Sequence, residues 1–198
     1  KPSQFDDLRA WKDEWDALGY TDTQILSKAE LEQRLGTTIY HGALREGGAG
    51  HFHPLNYALG LAEAARSKYR VEIFEHSRAL SIDTSSGVAV RTDAGRVQAR
   101  YGVLACDALL EGLEPRIAGR IMPVANYLVA TAPLSNPQAM IADDLAVSDS
   151  RFVVNYFRMS ADGRLIFGGG ERYTPAPPSD ITRLVGPPLD RPPFSATL

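Results

Sequence analysis

Three consecutive glycines, Gly168–Gly170, follow an apolar run in the segment RLIFGGGERYTP. Glycines at a strand end let a phosphate, a backbone or a flat ligand approach closely, because they carry no side chain. A Walker loop also needs Gly-Lys-Ser/Thr, and a dinucleotide fingerprint needs a helix directly after the turn. The prolines at positions 175, 177 and 178 block such a helix. The run therefore favours a strand that passes close to something bulky over a phosphate loop.

Tyr156 and Arg158 stand two residues apart in the segment NYFR. In a strand, residues at this spacing lie on the same face. A guanidinium grips a carboxylate through two parallel hydrogen bonds, and a neighbouring phenol adds a further polar contact. The pair is therefore a candidate site for a substrate that carries a carboxylate or an amine, although an ordinary surface pair on a sheet has the same spacing.

Other reactive side chains do not form a recognisable site. His41, His51 and His53 lack a third ligand at a metal-binding spacing, so we expect polar loop and capping roles and no metal. The chain has no G-x-S-x-G motif, and its single cysteine, Cys106, ends an apolar run, where a thiol is usually inert packing. A hydrolase is not expected, and no catalytic acid or base can be named.

Composition limits the class of protein. The chain has 198 residues, of which 44% are hydrophobic, and its 21 basic residues nearly balance 24 acidic ones. No basic patch suggests nucleic acid, and no apolar run has the roughly 18 residues that indicate a membrane span. One cysteine leaves no internal disulfide and favours a reducing, cytoplasmic location.

The elements that would position these residues begin with three helices. Apolar residues recur at helical spacing from Phe5 to Leu18, and Ser27 with Glu30 forms a capping box for a helix that reaches about Gly36. His53 and Pro54 then take the cap and first positions of a third helix. Its predicted buried stripe consists of Leu55, Ala58, Leu59, Ala62 and Ala65.

Strand patterns dominate the rest of the chain. Short strands are expected at TQIL and at residues 43–44; VEIFEH and GVLA have the pattern of buried strands. The alternating segment between these two predicts an antiparallel meander with turns at SSG and DAG, and MPVANYLVATAPL predicts a further strand. The last strands predict a hairpin that turns at Asp162–Gly163. The expected fold class is α+β, a mixed α/β chain with an antiparallel sheet.

Several segments in this order resemble the FAD-dependent amine and amino-acid oxidases of the D-amino-acid oxidase superfamily, and within it the bacterial gamma-glutamylputrescine oxidases. The resemblance covers most of the chain, up to about Asp180. The segments that carry it are GAGHFHPLNYALGLAEAA, IFEHSRALSID, GRVQARYGVLACDALL, RIMPVANYLVATAPL and VVNYFRMSADGRLIFGGGERY.

The resemblance implies a flavoprotein with FAD as cofactor, a small-molecule amine as substrate and O₂ as electron acceptor. A hydride would pass from the carbon that bears the amine to flavin N5. Ala79 falls in the segment that meets the adenine, while Ala105 and Cys106 fall in the run beside the ADP portion, where Asp107 replaces the family's glycine. The strands that would border flavin and substrate carry Tyr156, Arg158, Gly168, Gly169 and Gly170.

Two family features are absent from the sequence: an opening G-x-G-x-x-G and a late segment that closes the flavin site. We therefore expect an internal portion of an oxidase, in which the antiparallel sheet of the substrate domain accompanies a partial FAD-binding, Rossmann-like segment and the remainder of the polypeptide is missing. The expected division is a helical start of the substrate domain (1–50), a returning FAD-domain segment (51–112), the antiparallel substrate domain (113–178) and an irregular tail (179–198).

Two other functions stay open at this stage. A stand-alone ligand-binding or interaction module would use the Tyr156–Arg158 face without redox chemistry. A flavin-linked dehydrogenase would differ from an oxidase in its electron acceptor.

Overall fold

A computed structural model describes residues 3–152 and 154–172. The predicted tail, 179–198, and the prolines after the glycine run lie outside these residues. Within them the chain contains four α-helices: α1 (Gln4–Ala17), α2 (Lys28–Arg34), α3 (Pro54–Tyr69) and α4 (Pro115–Ala118). Short 3₁₀ turns occur at Asp107–Leu110 and Pro137–Ala139.

Nine strands in the described residues form three antiparallel sheets, so the expected α+β class is confirmed. The sheets have the orders β1-β2, β3-β4-β5 and β6-β9-β8-β7. The strands are β1 (Thr23–Ser27), β2 (Gly42–Glu46), β3 (Ser81–Asp83), β4 (Val88–Arg91), β5 (Arg96–Ala99), β6 (Ala125–Ala130), β7 (Ala146–Ser148), β8 (Tyr156–Met159) and β9 (Leu165–Arg172).

Contacts group the described residues into two compact units. Residues 3–51 and 124–172 form the first, which we call the sheet unit, and Phe52–Pro123 forms the second, the helix–meander unit. The sheet unit contains β1, β2 and the four-stranded sheet. The helix–meander unit contains α3, α4 and the three-stranded meander, and it includes most of the segment expected to belong to an FAD-binding domain.

The core of the sheet unit lies on one face of the four-stranded sheet. Phe157 and Phe167 are cross-strand partners on β8 and β9, and their rings stack with centroids 6.0 Å apart. Leu31 on α2 and Leu35 directly after it join this core. A backbone hydrogen bond from Gly36 N–H to Met140 O, at 2.9 Å, connects the chain after α2 to the segment near Met140. The buried cluster comprises Leu26, Leu31, Leu35, Tyr127, Met140, Ile141, Phe157, Leu165 and Phe167.

The predicted helix starts in both units are confirmed. The Ser27 side chain accepts a hydrogen bond from Glu30 N–H, and the Glu30 carboxylate accepts one from Ser27 N–H at 2.8 Å, which completes the capping box of α2. On α3, His53 Nδ1 accepts from Asn56 N–H at 3.3 Å, and Pro54 is the first helical residue. These caps satisfy backbone donors that the helix itself leaves unpaired.

The predicted hairpin between β8 and β9 is confirmed, with a longer turn than expected. Ser160 and Arg164 are joined by a hydrogen bond from Ser160 N–H to Arg164 O at 2.8 Å, so three residues form the loop. Gly163 has φ +77°, a left-handed conformation that glycine adopts without steric cost. The Asp-Gly signal was correct, but the turn contains one residue more than the two-residue type.

Three expectations for the helix–meander unit are wrong. The stripe of α3 is not buried: Leu55 and Leu59 are 61% and 59% exposed. Residues 71–74 and 102–105, predicted as buried strands, have no strand partner in the described chain, and Phe74 and Val103 are exposed. An apolar run forms a strand only where a neighbour supplies its hydrogen bonds, so composition alone was insufficient here.

Candidate functional site

The four-stranded sheet has a second face, opposite its core, which we call the outer face. Because side chains alternate along a strand, Phe157 points to the core while Tyr156 and Arg158 point to the outer face. Register pairs Tyr156 with Gly168 and Arg158 with Ile166. The expectation that Tyr156 and Arg158 share a face is therefore met, and their role in ligand binding stays a prediction.

The first glycine of the run is explained by the Tyr156 ring. A Cβ added to Gly168 would overlap the Cε2 and Cζ atoms of that ring. The ring lies across β9 at this point, and its hydroxyl donates a hydrogen bond to Asn126 Oδ1 on β6, the strand on the far side of β9. The bulky neighbour that the sequence led us to expect is thus an aromatic side chain of the same sheet.

The second glycine has a different neighbour. A Cβ on Gly169 would lie 2.9 Å from Asn155 Oδ1, tighter than an ordinary contact. Gly168 and Gly169 are both buried, and Gly170 continues β9. A role of these three glycines in cofactor binding stays a prediction; for the first two, side-chain packing within the sheet already requires a small residue.

A buried carboxylate holds the chain at the start of β8. Asp149 has a side chain only 4% exposed, and its Oδ1 accepts from Asn155 N–H at 3.0 Å while its Oδ2 accepts from Asn155 Nδ2 at 2.9 Å. Arg151 Nε lies 3.2 Å from the same carboxylate. These bonds compensate the burial of the charge and fix the approach to Tyr156.

Arg158 supplies positive charge on the outer face. Its side chain is half-buried, and Nη1 donates to the carbonyl of Met159 at 3.2 Å. That contact restrains one end of the guanidinium, whose planar fork suits a carboxylate. Together, a phenol and a guanidinium on one sheet face are able to orient a small polar substrate.

The residues that the resemblance places near the adenine and the ADP portion lie in the helix–meander unit. Ala79 and Cys106 line the same pocket of about 320 Å³, with Leu80, Leu109 and Leu110 among the apolar walls. Ala105 is exposed and does not line this pocket. Arg78 and Glu111, which also line this pocket, form an ion pair. Sequence positions 79 and 106, far apart in the chain, are therefore neighbours in space.

Asp107 illustrates why its position is suited to glycine. Its φ is +49°, in the left-handed region, where an ordinary side chain is strained and Asp or Asn is better tolerated than most. The residue begins the 3₁₀ turn Asp107–Leu110, beside the pocket. Where the resemblance implies a glycine, Asp107 thus takes a conformation that glycine adopts readily, and it carries a carboxylate.

The histidines have separate contacts. His53 caps α3, and His51 Nε2 lies 3.2 Å from Asp144 Oδ1. In the portion of the chain that the structure describes, no group of three or more His, Cys, Asp or Glu side chains is arranged to hold a metal ion.

Sequence reasoning missed Asn126 altogether. It lies on β6 within an apolar stretch, VANYLVA, and its side chain reaches Tyr156, thirty residues away in sequence. The available signal was weak: a polar residue inside a strand pattern. Which partner it has depends on strand order, which a single sequence does not reveal.

Comparison with known proteins gives a consistent picture. The sequence model of the FAD-dependent oxidoreductase family, DAO, matches residues 1–191. A probable oxidoreductase OrdL of Rhizobium meliloti (strain 1021) is 38% identical over 165 residues, which are 83% of this chain and 38% of that protein. The gamma-glutamylputrescine oxidoreductase of Escherichia coli (strain K12) is 34% identical over 185 residues, 92% of this chain and 43% of that protein.

Solved structures show the same fold. Glycine oxidase from Geobacillus kaustophilus superposes with a TM-score of 0.68 at 21% identity, covering 91% of this chain and 51% of that one. L-proline dehydrogenase from P. horikoshii gives a TM-score of 0.70 at 18% identity, with 88% and 49% covered. The chain thus spans about two-fifths of the length of its curated relatives and half that of its structural neighbours.

Proposed function

The chain belongs to the DAO family of FAD-dependent oxidoreductases, and from that premise we propose that it is part of an enzyme that oxidises a primary or secondary amine or an amino acid. The observation that carries this proposal is the outer face, where Tyr156 and Arg158 lie side by side and away from the core. The relative named gamma-glutamylputrescine oxidoreductase supports a substrate of that chemical class.

The residues present suit part of an FAD site. The pocket lined by Ala79 and Cys106 combines leucine side chains with small residues, which suit a flat adenine ring. The sequence contains no G-x-G-x-x-G, the usual cradle of the pyrophosphate. We therefore assign the adenine end to this pocket and the pyrophosphate to chain beyond these 198 residues.

FAD, when bound, would supply the redox chemistry, namely uptake of a hydride from the carbon that bears the amine, with O₂ as the final electron acceptor. This chain's own residues orient the substrate. Arg158 would hold a carboxylate, and Tyr156 would contact the amine end, so that the reacting carbon is presented in one orientation.

The rest of the polypeptide is a second part of the proposal. The curated relatives are more than twice as long as the matched segment, and α3 with residues 71–74 exposes a large apolar surface. We propose that further segments of the same protein cover that surface and complete the FAD-binding domain.

With a single cysteine, the chain suits the reducing conditions of the cytoplasm. No helix among the described residues has the length and apolar character to cross a membrane.

The test uses the complete native protein that contains this chain. We expect it to purify with bound flavin, to lose the visible flavin absorbance when an amine such as gamma-glutamylputrescine is added without oxygen, and to release peroxide in air. Reduction without peroxide release would indicate the dehydrogenase. A well-folded protein without flavin and without amine turnover would contradict the proposal and favour a binding module.

Arg158→Ala tests the role of the outer face. We expect the KM for a substrate that carries a carboxylate to rise about tenfold to a hundredfold, since a charged hydrogen bond contributes about 1.5–3 kcal/mol. Arg164→Ala, at the turn of the same hairpin and ion-paired with the exposed Asp162, is the matched control. Equal effects of the two changes would show that charge alone, rather than the position of Arg158, matters.

A further inference from the structure

The Tyr156 phenol is held by a contact between strands that are not neighbours. Its ring covers Gly168 on β9, and its hydroxyl donates to Asn126 Oδ1 on β6. Strand order β6-β9-β8 places the donor and the acceptor on opposite sides of the strand that the ring crosses. The absence of a side chain at Gly168 is what leaves room for this arrangement.

The direction of that hydrogen bond limits what the phenol can do. A phenol has a single proton, and an amide oxygen is an acceptor without a proton to donate. While the Tyr156 proton is directed at Asn126, the phenol oxygen can meet a ligand only as an acceptor. It therefore matches a group with N–H donors, such as a protonated amine, and does not match a carboxylate.

Asn126 has a further property that suits this role. Asn126 is an exposed residue of β6, and in the described chain the one hydrogen bond of its side chain is the one that Oδ1 accepts from Tyr156. Nothing else in that part of the chain competes for its oxygen. Asn126 Oδ1 is therefore available to hold the Tyr156 hydroxyl in one orientation.

Resting on the function proposed above, we propose that Asn126 is a positioning residue that makes Tyr156 a hydrogen-bond acceptor for the N–H of the substrate, so that the outer face selects an amine head group at this point. Arg158, two residues along β8, offers donors only. The two side chains thus present opposite hydrogen-bonding character to the two ends of an amino-acid-like substrate.

The experiment measures head-group selectivity in the complete native protein. Binding of n-butylamine and of butyrate, which differ in a donor or an acceptor head group, is compared by calorimetry. We expect Asn126→Leu, which removes the acceptor at similar volume, to lower the amine-to-carboxylate affinity ratio about fivefold to tenfold, because a neutral hydrogen bond contributes about 1 kcal/mol. Asn126→Asp keeps an acceptor oxygen and adds a negative charge, so the ratio should not fall and is expected to rise.

Two further variants separate positioning from a purely structural role. In a Tyr156→Phe background, Asn126→Leu should cause no further change in the ratio, since there is no hydroxyl to orient. Gly168→Ala should lower the ratio as Asn126→Leu does, because the added methyl displaces the ring.

The outcomes are distinct. If Asn126→Leu weakens both ligands equally, or has the same effect in the Tyr156→Phe background, Asn126 is only a structural contact and the inference is wrong. If the unaltered protein oxidises no amine and binds no flavin, the proposed function itself fails. If it oxidises amines and the ratio does not change in Asn126→Leu, the positioning role alone is overturned.

Discussion

In the sheet unit, Leu31 on α2 and Leu35, the residue directly after α2, belong to the buried core cluster. In the helix–meander unit, α3 is more than twice as long, yet Leu55 and Leu59 remain exposed. Both helices have a capped start and an apolar stripe. The difference between them is the presence of a packing partner, since a helix gains most of its stability from burial of one face rather than from propensity.

The same contrast applies to strands. β9 lies between β6 and β8, so both of its edges are paired, and Leu165 and Phe167 are almost completely buried. Residues 71–74 have comparable apolar composition and no strand partner in the described chain. Apolar composition shows where burial is possible, and the neighbours decide whether it occurs.

The largest expected effect on stability comes from a substitution in the core of the sheet unit. Phe167→Ala removes a side chain that is 1% exposed, so we expect the free energy of unfolding to fall by about 3–5 kcal/mol. Leu59→Ala on α3 should cost less than about 1 kcal/mol in the 198-residue chain. Urea-induced unfolding, followed by circular dichroism, measures both.

Leu59→Ala can also be measured in the complete native protein and compared with its effect in the 198-residue chain. If further segments cover α3 there, Leu59→Ala should cost about 2–5 kcal/mol, as a buried leucine does. A cost that stays small in the complete protein would contradict the proposed cover.

A second prediction concerns alkaline pH. Burial of the Tyr40 phenol, with a smaller contribution from the nearby Asp149 charge, raises its pKa to about 12. A raised folded-state pKa means that this contribution to stability is complete below pH 10 and is lost as pH rises from 10 to 12. The free energy of unfolding should therefore fall between pH 10 and pH 12, and Tyr40→Phe should make this decrease smaller by about 1–2 kcal/mol. Tyr69→Phe, at an exposed site in the other unit, should leave it unchanged.

The smallest expected effect distinguishes the two helix caps. Ser27→Ala removes a reciprocal capping box and should lower the free energy of unfolding by about 1 kcal/mol. His53→Ala should cost less, because its single 3.3 Å bond caps a helix that gains little from packing. Thermal unfolding of both variants measures which substitution costs more stability. A larger loss in His53→Ala than in Ser27→Ala would contradict this prediction.

Much of the fold was predictable because its signals are local. Ser27 with Glu30 marks a helix start through bonds within four residues, and so does His53 with Pro54. Gly163 marks the hairpin because the turn needs a positive φ. The meander was likewise evident from alternation and its turn residues.

The candidate site was predictable in part. Tyr156 and Arg158 share a face because of the two-residue period of a strand, so their juxtaposition follows from sequence. Asn126 was missed because its contact depends on β9 lying between β6 and β8. Ala79 and Cys106 were placed by family resemblance, and their common pocket by the fold.

By itself, the sequence determined the positions of the helix starts, the turns and the alternating faces, because each depends on interactions over a few residues. Tertiary structure decided which apolar residues are buried, why Gly168 cannot carry a side chain, and which side-chain amide accepts the hydrogen bond of the Tyr156 hydroxyl. Those features depend on segments far apart in the chain, and a contact exists only when the fold brings both partners to the same place.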